Sequence, residues 1–248
     1  MDRIRNIPQR LRLAIPIIIF CFLGIGCTTS QNSLQVMAAS SLTEAFEEIA
    51  DEFEKENQIK VTLTIAGSTS LASQLEDGAK IDVIALADLE TMERVIQAGR
   101  VTKNDLKIFA TNHLVLATPL ENPGNIYDLN DLENSVTAIC AKQVPCGKLS
   151  FQLALQKGVK LHPSTFEPNV RSVRTKIELG EVDAGLIYIT DINKKINHSL
   201  ISGAEKVQTE YPVAITTDSK QESVNFVEFV LSPTGQKILR QYRFGGPE

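Results

Sequence analysis

The apolar run at residues 34–39 breaks off at Ser40-Ser41, and a helical repeat starts at once. Leu42, Ala45, Phe46, Ile49, Ala50 and Phe53 recur three and four residues apart, so the stretch reads as strand, tight turn and helix. Ser41, with Glu44 three positions on, also predicts a capping box. Such a junction points backbone N–H groups and a hydroxyl outward at the positive end of a helix dipole, which suits an anion. Taken singly, a serine at a helix start is more often a cap than a ligand contact. The constraint comes from repetition, because the chain builds this junction several times.

A β-branched strand is expected at 60–66, then the turn Gly67-Ser68-Thr69 and a helix carrying Leu71, Ala72 and Leu75 that ends near Gly78. Residues 81–87 form a short apolar run, as expected of a strand buried on both faces. A helix over 89–98 and a strand over 113–118 follow. The Pro- and Asn-rich segment 119–131 reads as a passage into a second lobe. That lobe is expected to hold strands at 135–141 and 184–189 and helices at 148–156 and after Asn169, whose buried stripe is Val170, Val173 and Ile177. Strands at 206–210 and 213–216 lead back to the first lobe, and helices at 223–231 and 234–242 close the chain. Strands alternating with helices predict an α/β fold with a mostly parallel sheet in each of two lobes. The division expected is 34–118 with 211–248 for the first lobe and 119–210 for the second.

The first 27 residues stand outside that fold. Arg3, Arg5, Arg10 and Arg12 head an apolar run over 13–25 that Pro16 interrupts, the layout of a signal peptide rather than of a stable membrane span. The small residue before Cys27 and the polar tether at 28–33 resemble a bacterial lipoprotein processing site, although Gly24 stands where that site more often has leucine. Residues 1–27 are therefore expected to be a signal peptide with lipid on Cys27, simple secretion being the alternative. Removing them leaves 21 basic against 29 acidic residues, a formal charge of −8, with no basic tract. Nucleic acid is not an expected partner. A net-negative protein can still bind an anion where the site uses local dipoles rather than net charge.

Export leaves Cys140 and Cys146, and an oxidising compartment makes a disulfide between them the first expectation, with reduced thiols as the other possibility. His113, His162 and His198 lack ligand-type spacing, so a metal site is not expected. Neither Gly-x-Ser-x-Gly nor His-Glu-x-x-His occurs, and no histidine has an obvious serine partner; the chain does not read as an enzyme.

Four turn-to-helix junctions share one character: Ser40-Ser41, Gly67-Ser68-Thr69, Val144-Pro145-Cys146-Gly147 and Asn169-Val170. None has a charged residue at the turn, and each offers hydroxyl or backbone donors. In open α/β sheets such junctions gather at the carboxyl ends of the strands, where ligands sit. Two lobes facing across such a site suggest a hinged receptor.

These junctions carry a specific resemblance. Ala38-Ala39-Ser40-Ser41-Leu42-Thr43, the run from Gly67 to Ala79, Val144-Pro145-Cys146-Gly147, Asn169-Val170-Arg171, the run from Gly180 to Tyr188 and Tyr211-Pro212-Val213-Ala214 occur in order over nearly the whole exported chain. In them the chain is similar to the substrate-binding proteins of bacterial molybdate ABC importers. The resemblance implies a type II periplasmic-binding-protein fold and a tetrahedral oxyanion held without counter-charges. It implies hydroxyl and backbone bonds from Ser41 and Ser68, backbone N–H groups from Cys146 and Val170, and the phenol of Tyr188. Cys146 departs from the alanine usual there, which matters little if the backbone makes the contact. Molybdenum would be held only as its oxyanion, with no other cofactor.

The implied partners are molybdate or tungstate, a membrane permease and its cytoplasmic ATPase, with the receptor acting as a monomer in the cell envelope. A receptor for another tetrahedral oxyanion such as sulfate, or an envelope sensor of the same fold, is the alternative. Lys148 and Arg171, close to the turns, read as residues of solvated helix faces.

Overall fold

The structure, a computed structural model, describes residues 33–217 and 219–247. The leader, Cys27 and all of the tether except Ser33 lie outside these residues. Among the described residues no helix is long and apolar enough to cross a membrane.

Two five-stranded sheets organise the chain. The first contains β1 (Ser33–Ala39), β2 (Lys60–Ala66), β3 (Val83–Ala85), β4 (Lys107–Asn112) and β10 (Thr209–Ile215), in the order β2-β1-β3-β10-β4. The second contains β5 (Leu114–Pro119), β6 (Thr137–Cys140), β7 (Thr165–Glu167), β8 (Ala184–Tyr188) and β9 (Ile196–Leu200), in the order β7-β6-β8-β5-β9. In each sheet the first three strands pair in parallel and the next two pairings are antiparallel. One strand in each sheet therefore runs against the other four: β10 in the first and β5 in the second. Each reversed strand is the one by which the chain enters its sheet from the other.

The chain passes between the sheets twice, at Asn112–His113 and between β9 and β10. Two connections of this kind make a hinge. Their positions correct the expected lobe boundaries. Residues 114–118, assigned to the first lobe from sequence, form β5 and pair with β8 and β9 of the second. The first sheet is instead completed by β4, whose polar Lys107, Thr111 and Asn112 hide its strand character. The two strands expected at 206–216 are one, β10, with an irregularity between Tyr211 and Pro212 that fits proline's missing N–H.

Helices α1 (Thr43–Asn57), α2 (Ser68–Glu76), α3 (Leu89–Gln97), α6 (Gln221–Leu231) and α7 (Pro233–Gln241) cover the first sheet, and α4 (Pro145–Gln156) and α5 (Val170–Glu178) belong to the second lobe. The periodic stripe on α1 packs Phe46 and Phe53 against Phe109, Phe226 and Phe229, with ring centroids 5.1–6.3 Å apart. Burying a side chain of this size contributes about 1.5–3 kcal/mol. Packing this dense makes the lobe a stiff body.

The capping box expected at Ser41 and Glu44 does not form. Residues Ser40–Leu42 make a short 3-10 turn, α1 starts at Thr43, and no side chain caps it. Both polar groups are drawn to longer-range partners instead, Ser41 to Tyr211 and Glu44 to two arginines of the second lobe. Asn169 does cap α5, accepting from the Ser172 N–H at 3.0 Å.

Candidate functional site

The carboxyl ends of six parallel strands face one another across the lobes. β1 ends on Ala39 and leads to Ser40 and Ser41; after β2 come Gly67 and Ser68, and after β3, Ala87. From the second lobe, β6 leads to Val144, Pro145 and Cys146, β7 to Pro168, Asn169 and Val170, and β8 ends on Tyr188. Together they enclose a cavity of about 10 Å³. That is roughly the minimum free space that holds one water-sized species, so the two lobes lie close together over the site. Ser41, Ser68, Cys146, Val170 and Tyr188 all line it, and each is at most 6% exposed. No charged side chain lines it.

The donors follow from helix geometry. The first N–H groups of a helix lack intrahelical acceptors. In α2 the first ladder bond runs from the Leu71 N–H to the Gly67 carbonyl, in α4 from Lys148 to Val144, and in α5 from Val173 to Asn169. The N–H groups of Ser68, Cys146 and Val170 precede those bonds, at the positive ends of their helix dipoles. A disulfide between Cys140 and Cys146, Cα atoms 5.7 Å apart, ties the start of α4 to the end of β6. Gly147 is required beside it, since a Cβ there would lie 1.9 Å from the Ala141 carbonyl oxygen.

The hydroxyls are oriented too. Ser68 Oγ accepts the Ala87 N–H at 3.0 Å, and Ser41 Oγ lies 2.8 Å from the Tyr211 hydroxyl. The Tyr188 hydroxyl is buried and forms no well-aligned hydrogen bond within the protein, the Tyr211 hydroxyl being the polar neighbour that acts on it. Burial pushes its ionisation well above the usual phenol range, so it stays a neutral donor. A buried polar group without a partner is costly, and a ligand acceptor in the cavity would satisfy it. Among the described residues no cluster of histidine, cysteine and acidic side chains could hold a bare metal ion.

Charges gather at the rim instead. Arg171 and Arg174 on α5 both reach Glu44 on α1, Arg174 at 3.2 Å. Burial alone would raise the Glu44 carboxyl, but the Arg171 guanidinium beside it, with Arg174, holds it below the usual carboxylate range. Lys148 on α4 reaches Glu90 at 2.7 Å and Asp88 at 3.7 Å, at the start of α3. Lys148 and Arg171 are therefore half-buried bridges between lobes, not solvated helix faces. Each partner sits far away in the chain, where local pattern gives no hint of it. Lobe contact is also close at Gly67, where a Cβ would lie 2.8 Å from the Pro168 carbonyl oxygen. Sequence reasoning named five cavity residues and missed the supports behind them. Tyr211 stood within a matching motif without a role, and Asn112 carried no signal.

Comparison with known proteins agrees with this architecture. Residues 34–245 match the family described as bacterial extracellular solute-binding protein. A molybdate-binding protein of Mycobacterium tuberculosis is 33% identical over 230 residues, covering 90% of this chain and 88% of that protein. The periplasmic molybdate-binding protein of Azotobacter vinelandii superposes with a TM-score of 0.76 at 19% identity, covering 87% of this chain and all of that one. A sulfate-binding protein of Mycobacterium tuberculosis reaches the same TM-score of 0.76 at 17% identity, with 88% of each chain covered. The last two likenesses speak for the fold alone.

Proposed function

The chain belongs to the bacterial extracellular solute-binding protein family, and on that premise we propose that it captures molybdate, and tungstate equally, for delivery to an ABC importer. It works by binding rather than by turnover, outside the cytoplasm, as its family does. One observation carries the choice of ligand class: the cavity between the lobes has donors from both of them, a buried phenol without a well-aligned hydrogen bond in the protein, and no charged wall. A fully deprotonated dianion needs donors only. Ser41, Ser68 and Tyr188 supply hydroxyls, and Cys146 and Val170 supply backbone N–H groups. Protonated phosphate would leave its own proton without an acceptor.

Closure follows from the same layout. The first lobe contributes Ser41 and Ser68, the second Cys146, Val170 and Tyr188, so only the closed form satisfies the anion from all sides. The anion thus shifts the hinge equilibrium by its differential affinity for the closed form. The closed form presents one continuous face for a permease and its ATPase, with the receptor as a monomer. Lipid on Cys27 would hold the receptor at the membrane; mass spectrometry of the exported protein reads it directly.

Calorimetric titration of the leaderless protein tests the assignment. Tight one-to-one binding of molybdate and tungstate with weak sulfate is the expected result. A preference for sulfate would retain the mechanism and move the ligand, as the fold shared with a sulfate-binding protein allows. Absence of binding by all three would overturn the oxyanion assignment.

A further inference from the structure

Behind the cavity, Asn112 and Tyr211 form a chain of hydrogen bonds that ends on Ser41. Asn112, the last residue of β4 and 1% exposed, accepts the His113 N–H on Oδ1 at 3.0 Å. That bond fixes which end of the amide is which. Its Nδ2 therefore donates, at 2.9 Å to Thr190 Oγ1 and at 3.2 Å to the Tyr211 hydroxyl oxygen. A tyrosine has one hydroxyl hydrogen. The 2.8 Å bond to Ser41 Oγ is open to either donor, but with the Tyr211 oxygen already accepting from Asn112 the phenol hydrogen is paired when Tyr211 donates it to Ser41. Burial pushes the Tyr211 phenol up, so the hydrogen stays in place. Ser41 is thereby an acceptor towards Tyr211, and its own hydrogen is left for the cavity.

We infer that Asn112 and Tyr211 are positioning residues that set anion specificity: through them the Ser41 hydroxyl is fixed as a donor, which selects oxyanions that carry no proton. This rests on the oxyanion-receptor reading above. Ser68 shows the same polarity, since it accepts the Ala87 N–H. Both seryl oxygens thus spend acceptor capacity on the protein and face the anion with hydrogens. The relay also passes the hinge. Asn112 lies at the first crossing and holds Thr190 of the second lobe with the same amide that orients Tyr211.

Sulfate and hydrogenphosphate isolate the effect, because they share size and charge and differ by one proton. Their affinities are read by displacement of molybdate at pH 8, in the wild type and in Asn112→Asp and Tyr211→Phe. The carboxylate of Asn112→Asp would accept from Tyr211, which would then accept from Ser41 and turn the serine's lone pairs to the cavity. The wild type is expected to prefer sulfate by at least about tenfold, the scale of one unmatched buried polar group. Asn112→Asp is expected to erase or invert that preference, and Tyr211→Phe to reduce it, while thermal melting reports that each variant is folded. A residue that merely supported the fold would weaken both anions alike. An unchanged sulfate-to-phosphate ratio in whichever variant folds, or no preference in the wild type, overturns the inference and leaves molybdate binding intact. Failure of the wild type to bind molybdate, tungstate or sulfate overturns the oxyanion reading, and the inference with it.

Discussion

The cavity and its rim handle charge in opposite ways. Thirteen residues line the cavity without one charged side chain, whereas the rim a short distance away is bridged by Glu44, Arg171 and Arg174 on one side and Lys148, Asp88 and Glu90 on the other. Neutral donors on helix starts are pre-oriented and lose little on desolvation, so they suit a buried dianion. A buried cation would bring a desolvation cost of several kcal/mol before any attraction to the ligand counted. At the rim the same charges stay partly in water, where they weakly favour lobe contact and separate easily. Recognition is thus assigned to fixed dipoles and closure to partly buried ion pairs.

Ser68→Asp attacks the neutral side of this contrast and has the largest expected effect. It would place a carboxylate in a closed cavity opposite a dianion, and like charges so placed cost several kcal/mol. Molybdate affinity should fall by roughly a thousandfold or more. Ser68→Ala, which removes one donor to a charged group and leaves the Ala87 N–H unpaired, should cost about 10- to 100-fold. Calorimetry of both variants checks the ranking. If Ser68→Asp bound molybdate as well as Ser68→Ala does, a charge-free wall would not be a requirement.

Between the two regions lies Asp191, fully buried three residues beyond Tyr188. Burial pushes its carboxyl up to about 7, opposed by Arg174 and Arg171 and reinforced by Glu44. Its ordinary value of 3.8 applies to the unfolded chain. Between the two values the folded protein binds more protons than the unfolded one. Asp191 therefore favours the fold most below pH about 4, and that contribution is lost as pH rises to about 7. At most about 4 kcal/mol is involved. Urea unfolding at pH 5 and pH 8 should show Asp191→Asn losing less stability between them than the wild type. Equal losses would mean that the carboxyl is not strained by burial.

How much of this was legible in the sequence depends on the range of the interaction. Strand-turn-helix junctions are local, so Ser41, Ser68, Cys146 and Val170 could be placed at helix starts from periodicity alone, and family resemblance brought them to one site with Tyr188. The Cys140–Cys146 bridge closes a short loop and was likewise accessible. Interactions across the lobes were not. Ser41 meets Tyr211 at a separation of 170 residues and Arg174 meets Glu44 at 130, so no periodicity links them. Residues 114–118 were placed in the wrong sheet for a related reason. An apolar strand pairs equally well in either lobe, and only its partners decide. Asn112 was invisible because an asparagine that ends a strand looks like any turn residue.

The rim offers the smallest effect and the sharpest test of the division of labour. Glu44 retains 42% exposure of its side chain, and pairs of this kind contribute about 0–1 kcal/mol. Glu44→Gln keeps the shape and removes the charge shared by Arg171 and Arg174. Molybdate affinity should fall by less than about fivefold at low salt. The difference from the wild type should shrink steadily as ionic strength rises towards about 1 M, where the screening length falls to about 3 Å, the scale of these contacts. Loss of affinity in Ser68→Ala should persist at every salt concentration, because it arises in a space closed to ions. Titrations of both variants across a salt series therefore separate the regions by physics rather than by size of effect. If the Glu44→Gln defect persisted at high salt, the rim would belong to the recognition site. A Ser68→Ala defect that faded with salt would show that the cavity stays open to solvent when the anion is bound.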